Sequence, residues 1–212
     1  MKLILRITAA LVICISTVAA ATGTEPVRDA ILRIPESMAP MLTEYGKLDM
    51  LDYFDSGMDT PTANIVDGQM RITALSDSAA TLSLGNALRI DIYPLAAAND
   101  TLWMYIATYT MPVPDSRVII AKANNDEITS RVFRAPDFSK WLTPEGKKQR
   151  KLIESLVPYI STAYTYCPAT GILTLKYSLP ASTSSEVSER IAPLLVGNLR
   201  YQWTGKKFNL LK

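Results

Sequence analysis

Four aspartates come nearest to chemistry by type and spacing. Asp49, Asp52, Asp55 and Asp59 recur every three or four positions. At about 100° per residue on a helix they share about a third of the circumference. Carboxylates so placed could bind a hard cation such as Ca²⁺, with Asp52, Asp55 and Asp59 as ligands. They could also supply an acid and a base, with Asp49 and Asp52 as the pair. The spacing is not that of an EF-hand loop, and a helix face splays its carboxylates. The solvated edge of an amphipathic helix produces the same pattern. Glycosidases use two carboxyl groups and need no imidazole, so a carboxylate-dependent hydrolase acting on glycans fits the composition.

The composition removes most other chemistry. None of the 212 residues is His, which excludes Ser-His triads, Cys-His dyads, His-ligated zinc or haem and imidazole proton shuttles. No two of the nine glycines lie within four positions of each other, so neither a dinucleotide fingerprint nor a phosphate loop can be written. G-x-S-x-G and S-x-x-K are absent as well. No cofactor is expected. The basic run Lys147, Lys148, Arg150 and Lys151 could touch lipopolysaccharide phosphates or an acidic partner, or could simply be a solvated helix end.

Met1 to Ala21 reads as a secretory signal peptide. Lys2 and Arg6 form a positive n-region, Ile7 to Val18 an apolar core, and Ala19 to Ala21 a small-residue cleavage site. The core is shorter than the roughly 20 apolar residues of a spanning helix, so the mature chain is expected to carry no membrane span. Lipid attachment at Cys14 is disfavoured because Ile13 stands where a small residue is wanted. Loss of Lys2 and Arg6 takes Lys+Arg from 22 to 20, against 20 Asp+Glu, so the mature chain is formally neutral. A neutral chain gives nucleic acid no field to follow. Processing leaves Cys167 as the sole cysteine, expected to be a small buried residue at a strand end.

The elements that must position these residues fall into three stretches. In the first, Ser37 is expected to cap a helix carrying Met38, Met41, Leu42 and Tyr45, with a break at Gly46. A second helix should bury Leu48, Leu51, Phe54 and Met58. From about Asn64 the period changes to alternation. Met70, Ile72 and Ala74, then Leu82 and Leu84, then Leu88, Ile90 and Ile92 mark half-buried antiparallel strands. Leu102 to Thr110 is apolar or aromatic on both faces, as a central strand covered on two sides would be; an aromatic ligand platform is the functional alternative. Strands are expected at Arg117 to Ala121 and Ile128 to Phe133. They are followed by a helix capped by Thr143 with Leu152, Ile153, Leu156, Val157 and Ile160 inward. The end reads as strands Ala163 to Tyr166 and Ile172 to Ser178, a helix with a Thr183/Glu186 capping box, and a hairpin pairing Leu199 to Trp203 with Phe208 to Leu211. The whole predicts one α+β domain over residues 22–212, mainly an antiparallel meander with N-terminal helices and two later helices packed on it.

Several segments resemble one family. Ile34-Pro35-Glu36-Ser37-Met38-Ala39-Pro40-Met41-Leu42-Thr43 is similar to its opening signature, and Leu48-Asp49-Met50-Leu51-Asp52-Tyr53 to its next helix. Pro114-Asp115-Ser116 resembles a segment after its central strand, and Leu173 to Phe208 its closing strand, helix and hairpin. These are features of the secreted Bacteroidales proteins grouped as domain-of-unknown-function family 3256. Gly46-Lys47 departs from the Asn-Arg often found there, and Ala123 to Thr143 matches poorly. The resemblance implies a secreted, compact domain and carries no catalytic residues. That lineage also implies periplasmic O-glycosylation at Asp, Ser or Thr, then an apolar residue, which Asp77-Ser78-Ala79 and Asp100-Thr101-Leu102 fit at Ser78 and Thr101.

The expectation is a soluble periplasmic or secreted protein that binds an envelope protein or glycan without catalysis. A glycan hydrolase and a small-molecule carrier are the alternatives. Intact mass and N-terminal sequencing of protein from its native host check the processing. The chain should begin at Ala21 or Thr22 with sugar mass added. A retained Met1 removes the signal peptide, and a mass equal to the bare processed chain removes the modification.

Overall fold

The strand from Thr101 to Tyr109 organises the molecule, because both of its faces are buried. Trp103, Tyr105 and Ala107 enter one hydrophobic core, while Leu102, Met104 and Ile106 enter a second on the opposite face. The structure is a computed structural model and describes residues 27–58, 60–65, 68–98 and 101–211. The expected signal peptide, Cys14, Asp59 and Asp100 lie outside the described residues.

Helices α1 (Val27–Leu32) and α2 (Glu44–Asp55) precede six strands: β1 (Thr62–Ala63), β2 (Gln69–Ser76), β3 (Ala79–Leu84), β4 (Leu88–Ala96), β5 (Thr101–Tyr109) and β6 (Asp115–Lys122). These form an antiparallel meander in sequence order. Next come α3 (Thr129–Val132), a 3-10 turn at Phe138–Trp141, α4 (Pro144–Lys148) and α5 (Arg150–Leu156). Strands β7 (Ser161–Cys167) and β8 (Ile172–Ser178), helix α6 (Ser185–Ile191), and strands β9 (Asn198–Trp203) and β10 (Phe208–Leu210) complete the chain, with a second sheet in the order β10-β9-β8-β7. This is the expected α+β domain, with the strands divided between two antiparallel sheets.

The first core lies between the meander and the segment containing α1, α2 and residues 34–42. Ile31, Met38, Leu42 and Met50 meet Leu82, Ile90 and Ile92 there. The Tyr105 hydroxyl donates to the Ala30 carbonyl at 3.2 Å, tying β5 to α1. The second core lies under the second sheet, and of the first sheet it draws on β4, β5 and β6. Met104 and Ile120 pack with Tyr164, Leu173, Leu175 and Tyr201. Nearer β3 that face is polar: the buried Asp91 carboxylate accepts from Thr81 Oγ1 and Arg89 Nε, both at 2.9 Å. The sheets meet along β6 and β7 through side chains. Asp115 Oδ1 accepts the Thr162 N–H at 2.9 Å, and Ser116 Oγ accepts the Tyr164 N–H at 3.0 Å.

Several local expectations are corrected. No helix starts at Ser37: residues 35–42 form turns between Pro35 and Pro40, and Thr43 is the cap, its side chain accepting the Gly46 N–H. Gly46 lies inside α2 rather than ending it, where an added Cβ would stand 3.1 Å from Met70 Cε. The face of α2 that enters the core is therefore Gly46, Lys47, Met50 and Leu51, leaving Leu48, Phe54 and Met58 exposed. Lys47 is only 5% exposed, its ammonium donating to Leu32 O at 2.8 Å and Glu44 Oε1 at 2.7 Å. Burying its stem while the head satisfies carbonyls at the end of α1 lets a cation sit in the core edge.

Ala74 is exposed because β2 shifts register between Ile72 and Ala74. Instead of a strand at Ile128–Phe133 there is the one-turn α3, where Thr129 Oγ1 accepts the Ile120 N–H at 2.8 Å. The helix expected after Thr143 is split at Gln149, with Ile153 and Val157 buried and Leu152, Leu156 and Ile160 half-buried. Ser184, not Thr183, caps α6, its Oγ accepting the Val187 N–H.

Among the described glycines, Gly146 sits closest to another backbone segment. A Cβ there would lie 2.1 Å from the Leu194 carbonyl oxygen, which already accepts the Thr143 N–H at 3.0 Å. Gly146→Ala must push α4 off the turn after α6. We expect a loss of about 2–4 kcal/mol, measured by urea unfolding, against a change of a few tenths for Gly197→Ala, whose added Cβ meets open space.

Candidate functional site

The aspartates at 49, 52 and 55 all lie on α2. Asp49, Asp52 and Asp55 are all exposed, and neither Asp49 nor Asp52 lines either large cleft of the domain. Asp55 is engaged from α1, with the Arg28 guanidinium donating to both carboxylate oxygens, at 2.7 and 2.5 Å. That hydrogen bonding holds the Asp55 carboxyl below its ordinary range. Among the described residues no group of three or more acidic or cysteine side chains is placed to hold a metal ion. The expected cation set of Asp52, Asp55 and Asp59 thus has its middle member bound to arginine and its last outside the described residues.

The basic run also divides. Lys147 and Lys148 close α4, the favourable end for cations, while Arg150 and Lys151 open α5. Lys148 pairs with Glu145 at 2.9 Å, and Arg150 with Glu154 at 2.7 Å across a turn of α5. Ser78 is exposed in the turn between β2 and β3, and Thr101 opens β5 opposite Ala96, half-buried.

Among the described residues, two clefts stand out by volume. One, of about 400 Å³, is bounded by Arg33, Ile34, Pro35, Glu36, Thr43 and Lys47 among others. It coincides with the segment resembling the family's opening signature. Its most buried charged group, Lys47, already gives its donors to Leu32, Ile34 and Glu44. That half of the cleft therefore serves the fold.

The other cleft, of about 440 Å³, is built from three parts of the chain. Pro136, Phe138 and Trp141 come from the segment before α4, Glu154 from α5, and Val157, Pro158, Tyr159 and Ile160 from the connection to β7, with Thr162 on β7 itself. The first part is held rigidly. Asp137 Oδ1 accepts the Ser139 N–H at 2.8 Å to cap the 3-10 turn, and the Ser139 hydroxyl also donates to it. These bonds keep the Asp137 carboxyl below its ordinary range. The Trp141 carbonyl accepts the Val196 N–H at 2.7 Å, and the Trp141 ring meets Tyr177 edge-on at 5.8 Å. Tyr159, by contrast, is 59% exposed. Glu154 is the one ionisable carboxylate among the lining residues, and its Oε1 accepts from Arg150 Nε. Trp141 is buried behind the wall, so the surface offered is that of Tyr159, the half-buried Phe138 and two prolines, with a few acceptors. Periodicity could not locate it, because its members come from an irregular segment, a helix end and a loop. The sequence signal was the pairing of prolines with aromatics at Pro136/Phe138 and Pro158/Tyr159.

The sequence and the fold both have recognised relatives. Residues 2–208 match the model of a family described as a protein of unknown function (DUF3256), and the chain belongs to that family. Among solved structures it resembles a domain of an uncharacterized protein from Porphyromonas gingivalis W83, with a TM-score of 0.71 at 17% identity, over 87% of this chain and 97% of that one. At that identity the likeness is one of fold. No curated protein matches the sequence.

Cys167 corrects a further expectation: it closes β7 as foreseen but is exposed. Thr170, across the turn, hydrogen-bonds the thiol and moves its pKa below the ordinary value. The rate of alkylation by iodoacetamide should therefore rise to its plateau at lower pH than for an unstructured cysteine. Thr170→Val should shift that pH profile upward, because the hydroxyl that favours the thiolate is gone. Coincident profiles for the two proteins would contradict the contact.

Proposed function

We propose that this chain is an exported, soluble domain of the cell envelope that works by binding, through the cleft formed by Phe138, Trp141 and Tyr159. The observation that carries the reading is the cleft's lining: rigidly held aromatic and prolyl side chains face one exposed tyrosine, with a single carboxylate already engaged by arginine. Binding needs complementary surface and a few orienting polar groups. A glycan hydrolase needs two carboxyl groups about 5 to 10 Å apart across its substrate. Asp49 and Asp52, the pair considered for that role, sit on the exposed face of α2 and do not line the cleft. Export rests on the n-region, apolar core and alanine-rich end of Met1 to Ala21. The exposed position of Ser78 supports it as an attachment point for glycan ahead of the half-buried Thr101.

The test is site-specific photo-crosslinking in the native host. With p-benzoylphenylalanine in place of Tyr159, a discrete adduct should form on irradiation. The same probe in place of Tyr45, which is 81% exposed and outside the cleft, should give none. Equal adducts at both positions, or none at Tyr159, would overturn the proposal.

A further inference from the structure

We infer that the ligand of the Phe138–Trp141–Tyr159 cleft is a neutral saccharide, an inference that rests on the binding function proposed above. Three features choose the ligand class. The first is charge. Glu154 is the single formal charge among the lining residues, and Arg150 neutralises it through a 2.7 Å hydrogen bond. A charged ligand entering here would have to compete with the existing Arg150–Glu154 pair for an opposite partner. Phosphorylated, sulfated and strongly basic ligands are disfavoured on that ground.

The second feature is the balance of donors and acceptors. The carboxylate of Glu154 only accepts, while the hydroxyls of Tyr159 and Thr162 can do either. A site whose fixed polar group accepts wants a ligand rich in donors. A proline-rich peptide, the other neutral ligand that aromatic clefts take, is poor in donors because each proline lacks an N–H. A sugar ring presents a hydroxyl on nearly every carbon.

The third feature is shape. Tyr159 stands exposed between Pro158 and Ile160, across from the half-buried Phe138 on a turn fixed by Asp137, with Trp141 buried behind it. Flat aromatic surface suits the C–H face of a pyranose ring, and prolines at both ends of the site limit the entropy lost on closing around it. The volume of about 440 Å³ lies in the range for small-ligand sites, roughly 300–1,000 Å³.

The experiment is calorimetric titration of the processed full chain with chitotriose, mannotriose and cellotriose. Glucosamine and galacturonate trimers serve as cationic and anionic comparators, and a proline-rich decapeptide as the peptide probe. At least one neutral trisaccharide should bind, and at least about tenfold more tightly than either charged trimer. Tyr159→Ala should weaken that binding by at least about tenfold, and Tyr159→Phe by less than about threefold, because the ring rather than the hydroxyl carries the stacking. Glu154→Gln, which keeps the shape but loses the anionic acceptor, should fall between them. Both positions are exposed to solvent, and unchanged thermal unfolding of each variant confirms that it is folded. Peptide binding lost in Tyr159→Ala with no trisaccharide bound would overturn the saccharide inference and leave the binding function standing. Tighter binding of a charged trimer would overturn the inference as well. Failure of every probe, together with no crosslink from position 159, would remove both.

Discussion

The structure depends on one strand being buried on both faces. From Leu102 to Ala107 every side chain of β5 is enclosed, with odd positions in one core and even positions in the other. Because successive side chains point to opposite faces, a one-residue slip would exchange the two sets. Trp103 and Tyr105 would then take the places of Leu102 and Met104. Neither core could absorb that difference in volume. The registers of β4 and β6 against β5 are thereby fixed, and with them the placement of α1 and α2 on one side and the second sheet on the other.

With the centre of the molecule committed to packing, polar chemistry is displaced to its margins. The buried charges, Lys47 and Asp91, are held by neighbours within the fold. Lys47 joins α2 to the end of α1, and Asp91 organises polar side chains where the second sheet no longer covers β4. The aromatic cleft lies where the irregular segment between β6 and α4 meets the connection from α5 to β7. Its walls are set by caps and backbone hydrogen bonds, and two of its lining residues, Trp141 and Val157, are anchored in the second core.

What the sequence disclosed tracks how local each determinant is. Leu82, Leu88, Ile90 and Ile92 announce their strands because alternation is a property of consecutive residues. The double-sided character of β5 was legible for the same reason. The strand Ile172–Ser178 and the last hairpin were legible as well, bounded by Gly171 and Gly205. The first helix was misplaced because Pro35 and Pro40 allow turns as readily as a helix start, and contact with α1 decides between them. The buried face of α2 was misread because Lys47 looks like a surface residue until the Leu32 carbonyl is brought beside it. Ile128 to Phe133 has the composition of a strand, but Thr129 hydrogen-bonds to Ile120 and closes a helical turn instead. The cleft was hidden because only the tertiary fold assembles Phe138, Glu154 and Tyr159. The aspartate stripe was visible in sequence, but the engagement of Asp55 by Arg28 was not, because the arginine comes from another element.

The seam between the sheets has a consequence for how the protein behaves in company. An edge strand with open N–H groups is a template for any extended chain that drifts past, and proteins with such edges risk assembling into stacks. On β7 the N–H groups of Thr162 and Tyr164 are occupied by Asp115 and Ser116. Side chains terminate the ladder there without extending it, so the sheets abut without merging. The same two side chains that dock one sheet beside the other also deny that border to a stranger's backbone. At this border, protection against strand addition is built into the joint itself.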